Sequence, residues 1–322
     1  MPARLGLALA ALAALLPACA KRPASAPSDP PAVIVAPAQA SRLTDIGDLV
    51  FLRHRAAMGD ISRVRQEIAP RLAGAAEDGA DAGRDALRRL AIELAIVQGD
   101  QRSAARELDR LGDDVRDLGS TATTEERAVL ALLEGEFLYL AGRHLEARRH
   151  DLRALALLER DASPLLGNAL RGLARDALAL GQPTEALKLV LDATDAHRQS
   201  AGAEDRELVE DLLLTVEVLV ALRLADEAMI AAGDAYDQAL ARFGSGSLPH
   251  AEALVAVAAA SLVRGEVAAA GSLVDDAQEI QSELQSTQAD PAAPVSHRLS
   301  LRLQQLRALV PTDPSVGAAP HH

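Results

Sequence analysis

The fold is decided by Gly142-Arg143-His144-Leu145-Glu146-Ala147 and, 39 residues later, by Gly181-Gln182-Pro183-Thr184-Glu185-Ala186. Both stretches follow the pattern Gly-x-x-x-Glu-Ala. Aligned turn positions recur along the chain at spacings of 40, 43, 39, 42 and 42 residues. These positions are Gly59, Gly99, Gly142, Gly181, Arg223 and Gly265. A period of this length predicts an array of similar structural repeats.

Small side chains follow each turn position at fixed distances. Five residues later the chain has Val64, Ala104, Ala147, Ala186, Ala228 and Ala270. Twelve residues later the last four repeats have Ala154, Ala193, Ala235 and Ala277, whereas the first two have Arg71 and Leu111. Neighbouring helices approach closely only where side chains are short. The pattern therefore predicts packed helix pairs, with the first two repeats degenerate.

Local signals favour helices throughout this region. No stretch alternates apolar and polar residues with the period of two that predicts a strand. Helix starts are indicated by Thr123 with Glu126, by Ser163-Pro164, by Pro183 and by Asp290-Pro291. We therefore expect an all-α chain.

A turn glycine, with alanine five and twelve residues later on paired helices, resembles tetratricopeptide repeats. The period near 42 and the connector at 243–251 look like the long-helix variety of kinesin light chains. The resemblance implies a right-handed superhelical solenoid of antiparallel helix pairs over 42–310, with five to six repeats. It is weak over 42–115 and clearer over 124–287, and 295–310 is expected to be a solvent-facing capping helix. The sequence lacks most of the family's aromatic positions, and the alternative is a generic α-helical array.

The resemblance also implies a binding groove. In this family the first helix of each pair lines a concave groove, at positions three, six, ten and thirteen residues before the turn. In this sequence the positions carry Arg53, Arg89, Glu93, Glu136, Tyr139, Asn168, Arg171, Arg175, Glu210, Glu217 and Glu252. The central Asn168, Arg171 and Arg175 are expected to engage a carboxylate or a peptide backbone. The alternative is that these charges only keep an exposed face hydrated.

The N-terminus predicts export. Leu16-Pro17-Ala18-Cys19 follows Arg4 and an apolar run, which is the layout of a secretory signal peptide. A small residue before the only cysteine resembles a bacterial lipoprotein signal, which implies a signal peptide at 1–18 and lipidation of Cys19. The Pro/Ala-rich stretch 19–41 is expected to be a disordered tether, and 311–322 a disordered tail.

Two alternatives to the lipoprotein signal stay open. One is an ordinary signal peptide that happens to contain a cysteine, and the other is an uncleaved anchor. About 14 apolar residues are short of the ~20 that span a bilayer, which disfavours the anchor. Ala20, where an aspartate would resemble an inner-membrane retention signal, favours the outer membrane facing the periplasm.

Composition and motifs exclude several function classes. The net charge of −13 and 2% aromatic residues make a nucleic-acid partner unexpected. The sequence has no Walker A loop, nucleophile elbow or His-Glu-x-x-His motif. The histidines are interpreted as surface or loop residues, including His197 and His250. We therefore expect no catalytic residue, no metal site, no cofactor and no small-molecule substrate.

The expected function is a membrane-tethered protein-interaction scaffold in the bacterial cell envelope. It would bind proteins or peptides through the groove, and it would hold to the membrane through a lipid on Cys19. Assembly of an envelope machine is the favoured process. The alternative is a regulatory lipoprotein that activates an envelope enzyme such as a peptidoglycan synthase. An enzyme with an unrecognised active site is the least favoured class.

Overall fold

The computed structural model describes residues 46–78, 81–159, 163, 165–200, 205–290 and 292–310. Within these ranges the chain forms thirteen α-helices and no strand. They are α1 (Ile46–Ala57), α2 (Ile61–Asp78), α3 (Asp81–Gln98), α4 (Gln101–Leu118), α5 (Thr124–Leu140), α6 (His144–Leu158), α7 (Leu166–Ala179), α8 (Pro183–Gln199), α9 (Asp205–Ala221), α10 (Ala225–Phe243), α11 (Leu248–Arg264), α12 (Val267–Thr287) and α13 (His297–Leu309). The predicted signal peptide, Cys19, the tether at 19–41 and the tail at 311–322 lie outside the described residues.

Consecutive helices pack against each other along the whole array. They form six pairs, from α1 with α2 to α11 with α12, and α13 follows the last pair. Each odd-numbered helix also contacts the odd-numbered helix of the next pair. This confirms the all-α solenoid of helix pairs that the repeat pattern predicts.

The six aligned turn positions all have left-handed backbone. Gly181 has φ of 75°, and the other four glycines also have positive φ. Arg223 takes the same conformation with φ of 58°, and it is the one non-glycine residue with positive φ in the part of the chain that the structure describes. A left-handed residue ends a helix and lets the chain reverse within two or three residues. The six positions aligned in the sequence are therefore those at which the backbone must adopt a left-handed conformation.

The small residues after each turn lie at the closest contacts between helices. Ala147 and Ala154 of α6 are fully buried, and so are their counterparts Ala186 and Ala193 of α8. The same holds for the aligned alanines of α10 and α12. Leu111 fills the corresponding position of α4 and is buried, whereas Arg71 of α2 is half-buried. The first repeat therefore departs most from the tight packing of the later ones.

Two of the predicted helix starts are confirmed. Thr123 and Glu126 form a complete capping box at the start of α5. Pro183 occupies the first turn of α8, where its missing N–H costs no hydrogen bond. Ser247 caps α11 by accepting a hydrogen bond from the His250 backbone. The predicted start at Ser163-Pro164 includes Pro164, which lies outside the described residues. The predicted start at Asp290-Pro291 is wrong, because the last helix begins at His297 with Ser296 as its cap.

The last helix differs from the expected solvent-facing cap. Leu299, Leu303 and Leu306 of α13 are buried against the array, while Gln304 and Gln305 are exposed. Helix α13 packs on α11 and α12 and also contacts α3. Its polar residues are therefore divided between solvent and the surfaces of other helices.

The segment before α13 contacts the first repeats. The Gln288 side chain donates a hydrogen bond to the Gly59 carbonyl and accepts one from the Ser62 backbone at 2.9 Å. His297 lies directly against Gly99, where no larger residue would fit. The two ends of the repeat array therefore meet through these contacts.

Among the described residues, none of the helices combines the length and the apolar character that a membrane crossing requires.

Candidate functional site: the charged face of the odd-numbered helices

Ion pairs connect the predicted groove residues across neighbouring odd-numbered helices. We call this surface, formed by α1, α3, α5, α7, α9 and α11, the groove face. Arg53 of α1 lies 3.2 Å from Glu93 of α3. Arg175 of α7 lies 3.4 Å from Glu136 of α5. The structure therefore brings residues from separate repeats together on one surface, and their role in binding stays a prediction.

The aromatic member of the set lies beside the central arginines. The Arg175 guanidinium carbon is 5.5 Å from the centre of the Tyr139 ring, which is within the range of a cation–π interaction. Tyr139 also lies against the ring of His144 at the start of α6. Tyr139 thus presents an aromatic ring at the middle of the groove face, and the Arg175 guanidinium packs against this ring.

Arg171 is more deeply engaged than expected. It is only 9% exposed, and its guanidinium lies 3.2 Å from Asp211 and 3.3 Å from Glu210. It also donates a hydrogen bond to Asn168 at 2.9 Å. The guanidinium fork that was expected to receive a partner's carboxylate is therefore already occupied by carboxylates of α9. A binding role for Asn168 and Arg171 stays a prediction.

His197 is buried, and its interpretation as a surface residue is wrong. It is fully enclosed, with one ring nitrogen 2.6 Å from Asp211 and the other 2.9 Å from the Asn168 oxygen. Asn168 is oriented by Arg171, which donates to the same oxygen. Both ring nitrogens therefore face hydrogen-bond acceptors. This network joins α7, α8 and α9 and fixes the positions of the groove residues on α7.

The C-terminal end of the groove face is acidic and is faced by arginines. Arg298 of α13 lies 2.7 Å from Glu217 of α9, and Arg302 pairs with the second oxygen of the same carboxylate. Burial alone would raise the pKa of Glu217, but the two guanidinium charges lower it below its ordinary value. Burial would likewise raise the pKa of Glu210, but the charges of Arg171 and Arg206 lower it to about 2. Both acids are therefore ionised at neutral pH.

Glu252 of α11 behaves differently. It is half-buried, and within the described ranges it has no ion pair or hydrogen bond. Burial raises the pKa of Glu252, and the charges of Arg206 and Arg298 only partly offset this. Glu252 is therefore the groove acid that has capacity for a new cationic partner.

Arg89 is the predicted residue that is least connected to the others. Its charge acts on Asp85 of its own helix and on Glu126 near the start of α5. The hydrogen bonds with Thr123 lower the pKa of Glu126, and Arg89 contributes less. Arg89 thus serves the contact between α3 and α5.

An apolar cleft lies beside Glu252. It encloses about 70 Å³ between α9, α11 and α13. Its apolar walls include Leu213 and Val220 of α9, Val255 of α11 and Leu299 of α13. The acidic end of the groove face therefore combines carboxylates with an apolar surface, which suits a ligand that is both cationic and apolar.

Sequence reasoning also missed a buried pair of acids. Asp151 of α6 is 4% exposed, and Asp176 of α7 is fully buried. Gly135 and Gly172 lie against Asp151 so closely that a Cβ at either position would overlap its carboxylate. Burial, and then the charge of Asp176, raises the pKa of Asp151 to about 8. At neutral pH this pair therefore retains a proton.

The signal that could have revealed both buried clusters is glycine inside helices. Gly167 lies against the His197 ring, just as Gly135 and Gly172 lie against Asp151. Glycine inside a helix costs about 1 kcal/mol relative to alanine, so its presence indicates a close approach of another group. These three glycines mark where a polar side chain enters the helix interface.

Metal-binding geometry is not found in the described part of the chain. There, no group of three or more His, Cys, Asp or Glu side chains is placed to hold a metal ion. The ionisable groups of the groove face are mostly paired with one another across helices. Such an arrangement positions charges for recognition of another charged surface.

The repeat pattern has a direct counterpart among known families. Residues 126–199 match the family model of the tetratricopeptide repeat. They cover α5 to α8, the third and fourth helix pairs, which are the stretches with the Gly-x-x-x-Glu-Ala pattern. Tetratricopeptide repeats are generally protein-interaction scaffolds without enzymatic activity. The comparison with curated proteins gives no match.

Solved structures of similar fold include kinesin-light-chain repeats. BtubC from P. vanneervenii is 16% identical, with 74% of this chain and 94% of that chain covered and a TM-score of 0.49. TPR-like repeats of a Podospora anserina kinesin light chain are 16% identical, with 62% and 96% covered and a TM-score of 0.45. Pseudomonas aeruginosa pilF is 15% identical, with 82% and 96% covered and a TM-score of 0.42. With TM-scores below 0.5, these likenesses carry no argument about this chain.

Proposed function

We propose that the protein is a membrane-tethered interaction scaffold of the bacterial cell envelope. It binds partner proteins or peptides through the groove face and contributes to the assembly of an envelope machine. The observation that carries this proposal is the line of charged residues across successive repeats, which ends at an unpaired acid beside an apolar cleft. A surface of this kind offers a partner both electrostatic guidance and apolar contact.

The charge of the chain supports a basic partner. The net charge is −13, and the groove acids Glu217 and Glu252 lie at one end of the array. An acidic protein attracts basic ligands and speeds their encounter at low salt. Most charges of the groove face are paired internally, and Glu252 is the groove acid without an ion pair among the described residues, so it is the position for a new ion pair.

The membrane tether rests on the sequence of the first 41 residues. The charged start, the apolar run and the small residue before Cys19 have the order of a lipoprotein signal. Lipid chains on Cys19 would hold the repeats at the membrane, because each buried CH₂ contributes about 0.8 kcal/mol. A Pro/Ala-rich stretch then gives the folded repeats reach away from the bilayer.

The binding part of the proposal is tested by cross-linking in the native host, followed by mass spectrometry of the captured proteins. The informative variant is Glu252→Lys, because Glu252 makes no ion pair or hydrogen bond among the described residues. The matched control is Glu279→Lys on the exposed side of α12. We expect partners to be lost in Glu252→Lys and retained in Glu279→Lys. An identical partner list for the wild type and both variants would overturn the groove as the binding surface.

The tether is tested separately by fractionation. Cys19→Ala is expected to move the protein from the membrane fraction to the soluble fraction without changing its helical circular dichroism. If the variant fractionates with the membrane just as the wild type does, the lipid anchor is wrong. The two experiments are independent, since the groove face lies far from Cys19 in sequence.

A further inference from the structure

Helix α13 is a basic amphipathic helix in an acidic chain. Its sequence is HRLSLRLQQLRAL, with three arginines, one histidine and no acidic residue. Leu299, Leu303 and Leu306 form its buried side, with exposures of 1%, 2% and 8%. Arg298 and Arg302 are spaced four residues apart and therefore lie on one side of the helix. This composition matches the charge that the groove face would attract.

Helix α13 uses the acidic end of the groove face as its binding surface. Arg298 and Arg302 together take both carboxylate oxygens of Glu217 on α9. Leu299 and Leu306 line the same cleft as Val216 of α9 and other apolar residues of α11. The contact thus has the two components of helix recognition in a groove, apolar anchors and flanking charge pairs.

The contact is incomplete in two respects. Glu252 faces the cleft without an ion pair among the described residues, although the charge of Arg298 acts on it. The cleft between α13 and its receptor helices also keeps an unfilled volume of about 70 Å³. The side chains of Arg298 and Arg302 remain 35% and 38% exposed, so their ion pairs are only partly shielded from water. A better-matched helix would make more contacts at this surface than α13 does.

Outside the cleft, α13 contacts α12 and α3, and its first residue His297 lies against Gly99 in the turn after α3. Gln281 donates a hydrogen bond to Ser300, and Arg307 lies 2.6 Å from the exposed Asp275. Both contacts are with α12 and neither involves the cleft. Release of α13 therefore also gives up its contacts with α12 and α3, which the binding of a competing helix has to outweigh.

We infer that α13 is an internal competitor for the partner, and that the partner segment is a basic amphipathic helix with leucine-type anchors and arginines four residues apart. This inference rests on the proposed binding through the groove face. The partner helix displaces α13 from α9 and α11, fills the cleft and pairs with Glu217 and Glu252. While α13 is bound, it lowers the apparent affinity of the groove for the partner.

The test uses the full chain and a labelled synthetic peptide with the sequence of residues 295–310 as the probe. The first variant is Arg298→Glu/Arg302→Glu, which weakens the hold of α13 on Glu217. We expect this variant to bind the probe about tenfold more tightly than the wild type, because the internal competitor is released. Adding Glu217→Lys to the Arg298→Glu/Arg302→Glu variant is expected to abolish its tighter binding of the probe. A probe peptide with both arginines replaced by glutamate serves as the control.

A second measurement does not depend on any substitution. Hydrogen exchange of the wild-type chain is followed with and without an excess of the unlabelled peptide. We expect the amides of α13 to exchange faster when the peptide is present, while those of α5 and α6 stay unchanged. Unchanged exchange in α13, or equal binding of the control peptide, would overturn the inference.

The outcomes also separate this inference from the proposed function. If Glu252→Lys loses its partners in the cell but the probe neither binds nor releases α13, the groove binds a ligand of different chemistry. If the probe binds and releases α13 but the captured partners do not depend on Glu252, the proposed function is the part that fails.

Discussion

Replacing Asp151 with asparagine should change how the stability of the protein depends on pH. Asp151 and Asp176 lie together between α6 and α7, and both are almost completely buried. Burial, and then the charge of Asp176, raises the pKa of Asp151 to about 8, and burial raises that of Asp176 to about 6. The surrounding charges are Arg175 and Arg148, which favour ionisation, and Glu136, which opposes it at Asp151.

The sign and size of the effect follow from proton binding. Between about pH 4 and pH 8 the folded chain keeps a proton on Asp151 that the unfolded chain has released. Because the folded state binds more protons, the free energy of unfolding falls as the pH rises through this window. Each retained proton contributes a slope of about 1.4 kcal/mol per pH unit. From about pH 6 to pH 8 the wild type should therefore lose ~2 kcal/mol more than Asp151→Asn, since Asp151 is already half ionised at the upper end of this range.

The assay is urea denaturation of the wild type and the variant at about pH 6, 7 and 8, where one retained proton dominates the difference. Asparagine keeps the shape of the side chain and cannot ionise, so the difference between the two chains isolates this carboxyl. Asp192→Asn, on the exposed side of α8, is the control and should follow the wild type at every pH. If Asp151→Asn and the wild type lose stability in parallel, the carboxyl does not hold a proton in the folded state and the reasoning is refuted.

Four further substitutions test the packing directly by urea denaturation. Gly172→Ala should lower the free energy of unfolding by about 1–3 kcal/mol, because the new methyl group meets a buried carboxylate. Gly233→Ala in α10, where the added Cβ meets nothing within 4 Å, should instead raise it by up to about 1 kcal/mol, and equal effects at the two sites would contradict the assigned contact. Arg223→Gly should raise it by about 1 kcal/mol, since glycine adopts the observed φ of 58° without strain, and a loss of stability would mean that this turn is built differently. His197→Leu should lower it by about 1–3 kcal/mol, because the buried Asp211 keeps Arg171 but loses its hydrogen bond with the imidazole ring, whereas an unchanged free energy of unfolding would show that the network is not needed for stability.

The features that could be predicted from the sequence are those set by the backbone and by local packing. A left-handed turn requires glycine or tolerates a strained residue, so Gly59, Gly181 and Arg223 could be aligned before any contact was known. A fully buried close contact requires a short side chain, which explains why Ala147 and Ala186 recur at the same distance from their turns. These requirements repeat every helix pair, and repetition makes them visible in a single sequence.

The pairing within the groove face could not be predicted in the same way. Which acid meets Arg171 depends on how far each pair is rotated relative to the next, and that rotation is set by the summed packing of several helices. The alignment placed Arg171 on the groove face, but it did not show that Asp211 and Glu210 would already occupy its guanidinium. The burial of His197 was missed because an isolated histidine has no characteristic spacing.

The position of α13 depends on contacts distant in sequence. Its arginines pair with Glu217 about eighty residues earlier, and the segment before it reaches Gly59 and Ser62 in the first repeat. A polar helix after the last repeat is typical of a cap, so the sequence alone favoured exposure. The structure shows that three of its leucines and two of its arginines face the array.

The central claim, that partners bind on the groove face, is tested most directly by photo-cross-linking from defined positions in the native host. A benzophenone side chain placed at Tyr139 samples the groove face, and one placed at the exposed Ile230 of α10 samples an even-numbered helix. We expect adducts with a specific protein from position 139 and none with that protein from position 230. Adducts from position 230 alone would place the partner on the opposite surface and contradict the account.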